Sequence, residues 1–368
     1  MARTLKFKND DHSLWMDRVT RNLLESGLLK EAIEKWSVTG LISSLTDFGY
    51  AIKSSPVYDA AILRKIREIV TGENLFFEVV LEDLRQAAGL FQPIYQQTEG
   101  VDGWVSLEIP PLSFHDPDRT FAAVKDLYGR ARRPNLMIAI PGIRENLALI
   151  EKAIFNGIPV NVTYLFSTDQ YLAAAEAYLC GIERRMAADL GPNVGSIASM
   201  YISRWDASVT YQVPEELQNR LGITVAECVY KAYRQLLESP RWKAARKAGA
   251  RAQRLLWSGP LLDVQQIPNR LNAKTLTAPF TVSSLSRDSL PAMAVESDFG
   301  AKMPMDGGDC EVVLARFAKA GIDLTSLAAR LQQEEIDSFV KVWIEIMAAL
   351  ASKCAELMTG RNTATEDH

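Results

Sequence analysis

Three short apolar runs carry polar side chains at alternate positions: Ser106 and Glu108 in GWVSLEI, Asn161 and Thr163 in PVNVTYLF, Ser199 and Tyr201 in SIASMYI. Alternate residues of a β-strand share a face. An inward Glu108 therefore brings Ser106 and Trp104 inside with it, and Leu165 follows Asn161 and Thr163. The run NLMIAI puts Asn135, Met137 and Ala139 on one face. Unpaired buried polar groups cost ~1–3 kcal/mol each, so a cluster of them reads as a site rather than as core filling. A carboxyl such as Glu108 loses solvation there, its pKa rises, and it becomes a proton donor or acceptor near neutral pH. Acid–base work of that kind contributes ~10²–10⁴-fold, enough to enolise, dehydrate, epimerise or cyclise an activated substrate.

Such a cluster needs a rigid frame. Eight β-rich runs are expected, at residues 37–44, 75–80, 103–109, 135–140, 159–166, 196–202, 253–259 and 273–279. Helical patterns separate them: Leu147, Ile150 and Ile154 recur at helical spacing before a stop at Gly157, and residues 168–190 are amphipathic. Strands alternating with helices predict the α/β class, a single (β/α)8 TIM barrel occupying residues 1–368 as one domain. An extra N-terminal helix at 18–29 is expected before the first strand, and a long C-terminal helix at 334–358. In such barrels polar residues at the carboxyl ends of strands form the site.

Composition excludes several classes. The chain has 368 residues, 48% hydrophobic and 23% charged, which is globular. A net charge of −4 offers no basic field for nucleic acid. No apolar run approaches the roughly 20 residues of a membrane span, and the start MARTLKFKND lacks the apolar core of a secretory signal. Cys180, Cys228, Cys310 and Cys354 lie far apart with no CxxC pair, so reduced thiols in a cytoplasmic protein are expected. The expected partner is a small-molecule substrate, with no nucleic acid, membrane, metal or cofactor, and the chain acts as a monomer or homodimer.

In order along the chain, LWMDRVTRNLLESGLL, LFFEVVLEDLRQAA, GWVSLEIPPLSFHD, RPNLMIAIPG, GIPVNVTYLFS and SIASMYISRWD resemble the motifs of the transaldolases, and nearly the whole chain takes part. The resemblance implies a class I aldolase barrel. In that family a lysine on the fourth strand forms a Schiff base with a ketose phosphate, carboxyl and threonine side chains move protons partly through a water, and a dihydroxyacetone unit passes between sugar phosphates. Carried over, the acid–base set is Asp17, Glu108 and Thr163. Asn161, Ser199 and Arg204 also match, the arginine as a phosphate ligand.

The departures concentrate in the site. The lysine position holds Ala139, Ser44 replaces an asparagine, Leu45 a proline, and Tyr201 a phenylalanine. After the seventh strand Gly259 replaces a serine and Asp263 a lysine. Ala139 cannot form an imine. Lys53 and Lys152 fall on expected helices, and Lys274 at the start of the expected eighth strand, the wrong end of the barrel. An alanine introduced to silence the enzyme would account for Ala139 but not for Ser44, Leu45, Gly259 and Asp263. The expectation is therefore an enzyme that uses Asp17, Glu108 and Thr163 in a non-imine reaction, in secondary metabolism. Ser44, Ala139, Asn161, Ser199, Tyr201, Arg204, Trp257 and Asp263 would line its substrate pocket. The alternatives are a catalytically dead binding or scaffold barrel, and a pentose phosphate pathway transaldolase with a substitute lysine or an engineered alanine.

Simpler roles compete for the same residues. Asp17 suits an N-cap for a helix starting near Arg18. Glu108 with Thr163 would make a satisfied buried pair, and Arg204 could pair with Asp206 or Glu78. His115 suits a loop hydrogen bond. The run Arg241, Lys243, Arg246, Lys247, Arg251 and Arg254 reads as a solvated helix face. Trp205 and Trp257 read as core unless they face the pocket, where they would suit an aromatic or apolar substrate.

Overall fold

A computed structural model of the chain describes residues 12–111, 116–258, 276–290 and 303–365. Eight parallel strands close into a barrel in sequence order. They are β1 (Ser13–Asp17), β2 (Val38–Ile42), β3 (Val105–Glu108), β4 (Leu136–Pro141), β5 (Val160–Leu165), β6 (Ser196–Tyr201), β7 (Arg254–Ser258) and β8 (Thr281–Leu285). Helices surround them: α1 (Arg21–Glu25), α2 (Leu28–Trp36), α3 (Leu45–Ser54), α4 (Asp59–Arg67), α5 (Gly72–Gln97), α6 (Pro117–Ala131), α7 (Leu147–Phe155), α8 (Thr168–Ala187), α9 (Arg204–Val209), α10 (Leu221–Glu238), α11 (Pro240–Lys247), α12 (Cys310–Lys319) and α13 (Leu324–Thr365).

The barrel class matches the expectation, but three elements do not. Residues 75–80 are helical, inside α5. Their apolar pattern continues through Leu81, Leu84, Ala87, Ala88 and Phe91, all buried, which is helical spacing seen only beyond a six-residue window. The first strand is Ser13–Asp17, and the helical segments expected from residue 18 follow it as α1 and α2. A left-handed Arg18 (φ 65°) ends the strand, and its N–H bonds the Ile42 carbonyl at 2.9 Å. The eighth strand lies at Thr281–Leu285; of the run expected at 273–279, residues 276–279 are not strand and the rest lie outside the described residues.

Alternation sorts the barrel side chains. Trp15, Trp104, Met137, Ile197, Leu256 and Val282 fill the interior, while their strand neighbours face the helices. A Cβ added at Gly40 would stand 2.4 Å from the Trp15 indole, so only glycine admits that ring. Below the tryptophans Asp102 ties the floor together. It accepts from Ser13, from Trp15 Nε1 at 2.7 Å and from Arg254 Nη1 at 3.3 Å. Arg254 thus belongs to a buried ion pair on β7, not to a solvated helix face, because the strand carries it under the barrel.

One further reading changes. Cys228 and Cys310 form a disulfide between α10 and α12, with Cα atoms 5.8 Å apart, leaving Cys180 and Cys354 free. Tertiary packing joins cysteines 82 positions apart, which spacing alone does not reveal. Among the described residues no helix is long and apolar enough to cross a membrane.

Candidate active site

Glu108 is the last residue of β3 and faces into the upper barrel. Ser44 starts α3 by accepting from Asp47 N at 3.2 Å, and the first helical N–H, that of Leu45, has no intrahelical acceptor. Leu45 N donates to Glu108 Oε2 at 2.8 Å. That bond and the helix N-terminus favour the carboxylate. Burial outweighs them and, with Asp47 adding repulsion, pushes Glu108 up to about 7. Among the described residues no hydrogen bond joins Glu108 to Thr163, so the expected satisfied pair does not form.

Asp17 ends β1 and is not an N-cap; Thr20 occupies that position for α1. Burial pushes its carboxyl up to about 6, against the pull of Arg18, and Asp47 again adds repulsion. Its Oδ1 is buried without a hydrogen-bond partner. Two protonatable carboxyls with raised pKa values, one with an unused oxygen, therefore stand at the carboxyl ends of β1 and β3.

Across the barrel a short polar relay is already satisfied. Ser199 Oγ donates to Asn161 Oδ1 at 2.7 Å, and Asn161 Nδ2 donates to Ser106 Oγ at 3.0 Å. This relay runs from β6 through β5 to β3 and fixes the Asn161 amide. Ala139 lies on β4 between them, in register with Glu108 on one side and Asn161 on the other, and is 3% exposed. None of the eight strands carries a lysine.

β5 breaks the expected alternation. Tyr164 is left-handed (φ 57°) and the pairing with β6 slips between Val162 and Leu165. This bulge turns Leu165 outward beside Val162, so it does not share the face of Asn161 and Thr163. Tyr164 instead packs with its ring tilted against Tyr201, centroids 5.2 Å apart, with Phe339 of α13 at 6.3 Å. Burial pushes both phenols up, with Glu108 and Glu335 adding to it, so they stay neutral donors; Ser258 opposes this at Tyr201. Periodicity gave no signal for this tyrosine.

The start of α13 crosses the same rim. Gln332 Nε2 donates to the carbonyls of Tyr164 at 2.8 Å and Gly142 at 3.3 Å. Arg204, opening α9 just after β6, pairs with Glu335 and with Glu334 at 3.1 Å. The partners expected for it are engaged elsewhere: Asp206 accepts from Leu221 N and Gly222 N, and Glu78 pairs with Lys65 and Arg130. Gln332, Glu334, Glu335 and Phe339 were not legible as site residues, because only the tertiary fold brings this helix to the rim.

Trp257 does not line the pocket. On β7 Leu256 faces inward, and Trp257 is fully buried in the layer between barrel and helices. Trp205 is core, its Nε1 donating to the Phe166 carbonyl at 3.1 Å. Asp263, Gly259, Lys274 and His115 lie outside the described residues.

The sequence matches known proteins. Residues 14–350 match the family described as Transaldolase/Fructose-6-phosphate aldolase. A transaldolase of Trichodesmium erythraeum is 31% identical over 372 residues, covering 96% of this chain and 98% of its own. A transaldolase of Thermobifida fusca is 33% identical over 353 residues (93% and 96%), and one of Saccharopolyspora erythraea 33% over 343 (91% and 93%). With a closed parallel barrel, raised carboxyls at its strand ends and a family match across nearly its whole length, the chain belongs to the transaldolase/fructose-6-phosphate aldolase family.

Proposed function

We propose that this chain is an enzyme of carbohydrate metabolism that acts on a hydroxy-carbonyl compound of the sugar type, with Glu108 as the group that moves the proton. The observation that carries this reading is the Glu108 carboxyl, half-buried at a strand end, pushed up to about 7 and held, among the described residues, by one backbone donor. Asp17 is the second proton-carrying group, and Thr163, on the inner face of β5 in register with Pro141, is the third of the set. Ser44, Ala139, Asn161, Ser199 and Tyr201 bound the space around them.

Two chemical steps fit this reading. The names of the relatives favour transaldolase transfer itself. That transfer needs an amine, and with Ala139 on β4 and no lysine on any of the eight strands, a lysine from outside the strands has to supply it. The lysine-free strands favour the other step, proton transfer next to a carbonyl without an imine. A single experiment separates them. The protein is incubated with fructose 6-phosphate or dihydroxyacetone in deuterated water, then treated with borohydride. A trapped adduct on a lysine establishes the transfer route. Exchange of the carbon-bound hydrogen without an adduct, reduced ~10²–10⁴-fold in Glu108→Gln, establishes the proton-transfer route. Neither exchange nor adduct would overturn the proposal and leave a binding barrel.

A further inference from the structure

The rim of the barrel presents Arg204, whose two terminal nitrogens both face carboxylates. Arg204 Nη1 bonds Glu335 and Nη2 bonds Glu334 at 3.1 Å, so each terminal nitrogen of the guanidinium already has an acidic partner. Glu334 is shared with Arg330, one helical turn away at 3.1 Å. These four charges cancel among themselves. The carboxylates are set in place by the helix that carries them. Gln332 anchors α13 to the strand-end carbonyls of Tyr164 and Gly142, and Phe339, two turns on along the same helix face, packs beside Tyr164.

We infer that Glu335, together with Glu334, turns this site away from phosphorylated substrates and toward uncharged hydroxy-carbonyl compounds by occupying Arg204. The inference rests on the proposed carbonyl chemistry and names the substrate class for it. A phosphate is held by arginine through two parallel hydrogen bonds from the guanidinium fork. Here it would have to displace the carboxylates from the terminal nitrogens or crowd in beside them, and in either case carry its own negative charge next to theirs. Arg204 is 41% exposed, so solvent weakens every one of these interactions without changing their order. An uncharged polyol meets no such opposition. Its hydroxyls can donate to Glu335 and accept from the neutral phenols of Tyr164 and Tyr201, which sit close enough to feel the Glu335 charge.

The test is calorimetric titration of the full chain with inorganic phosphate, fructose 6-phosphate and fructose. The proteins are the parent, Glu335→Gln, the double variant Glu334→Gln with Glu335→Gln, and that double variant with Arg204→Ala. Fructose 6-phosphate is expected to bind the parent no tighter than fructose. The double variant should gain roughly tenfold or more for both phosphate ligands and not for fructose, and Arg204→Ala should remove the gain. Glu335→Gln alone, which keeps shape and packing, should gain part of it, so the test survives if the double variant melts early. Unchanged phosphate affinity in folded glutamine variants overturns the inference. So does a parent that binds fructose 6-phosphate about tenfold tighter than fructose and loses this in Arg204→Ala. Phosphate affinity reads Arg204 alone. A gain for phosphate with no binding of either sugar would therefore sink the carbonyl reading and the substrate class with it, and leave only the occupation of Arg204 by the two glutamates standing.

Discussion

The backbone N–H of Leu45 donates to Glu108 Oε2 at 2.8 Å, tying the first residue of α3 to the carboxyl at the end of β3. Among the described residues this bond is the one interaction that favours the charged form of Glu108. It pulls the carboxyl pKa down while burial and Asp47 push it up. The donor exists because position 45 is not proline, which has no N–H.

Leu45→Pro therefore tests the bond directly. Proline is tolerated at the first position of a helix, so α3 should persist. Glu108 should lose its donor and titrate above its present value of about 7. The pH midpoint for the catalysed exchange, or of the Glu108 carboxyl followed by isotope-edited infrared, should move to higher pH. A midpoint that stays in place would show that the bond does not govern this carboxyl.

The two raised carboxyls also predict how stability depends on pH. Asp17 rises from 3.8 to about 6 and Glu108 from 4.5 to about 7, so the folded chain binds more protons than the unfolded chain between those limits. Their protonated forms are what the fold prefers. This preference is fully present below about pH 4 and is lost as pH rises through 6 and then 7. Asp17→Asn and Glu108→Gln should accordingly stabilise the protein at pH 8, on the order of 1–3 kcal/mol each, and do little at pH 4. Thermal melts at the two values check this; equal effects at both would mean the carboxyls are not desolvated.

Position 139 makes a chemical prediction. Borohydride with fructose 6-phosphate should leave no adduct at Ala139, since an alanine has no amine. Ala139→Lys should restore little transfer, because residues acting as a unit are non-additive and Ser44, Leu45 and the occupied Arg204 would remain. Coupled assays of the variant measure it. Transfer at the level of the named relatives would show that the rest of the pocket still serves that reaction.

Gly40→Ala should cost stability without touching the site. The new methyl would meet Trp15 at 2.4 Å, and the indole is fixed by Asp102 at 2.7 Å, so neither can yield freely. Overpacking of this kind costs about 1–3 kcal/mol, read as a fall in the denaturation midpoint with catalytic parameters unchanged.

The amino-acid order alone was enough for the barrel class, for most of its strands and for the inward faces of β3, β4 and β6. Period-two alternation between a buried interior and a helix-covered exterior is a local signal, and Ser106, Glu108, Met137, Ala139, Ser199 and Tyr201 obey it. It failed where the decisive interaction was not local. Residues 75–80 look like a strand until the apolar spacing of the whole of α5 is counted. β1 is five residues long and exists because β2 and β8 pair with it. Tyr164 enters the pocket through a bulge that no period predicts. Arg204 is separated by 130 and 131 residues from the carboxylates that occupy it. Whether that arginine is free to hold an anion is decided by where a distant helix lands, and only the folded chain determines that.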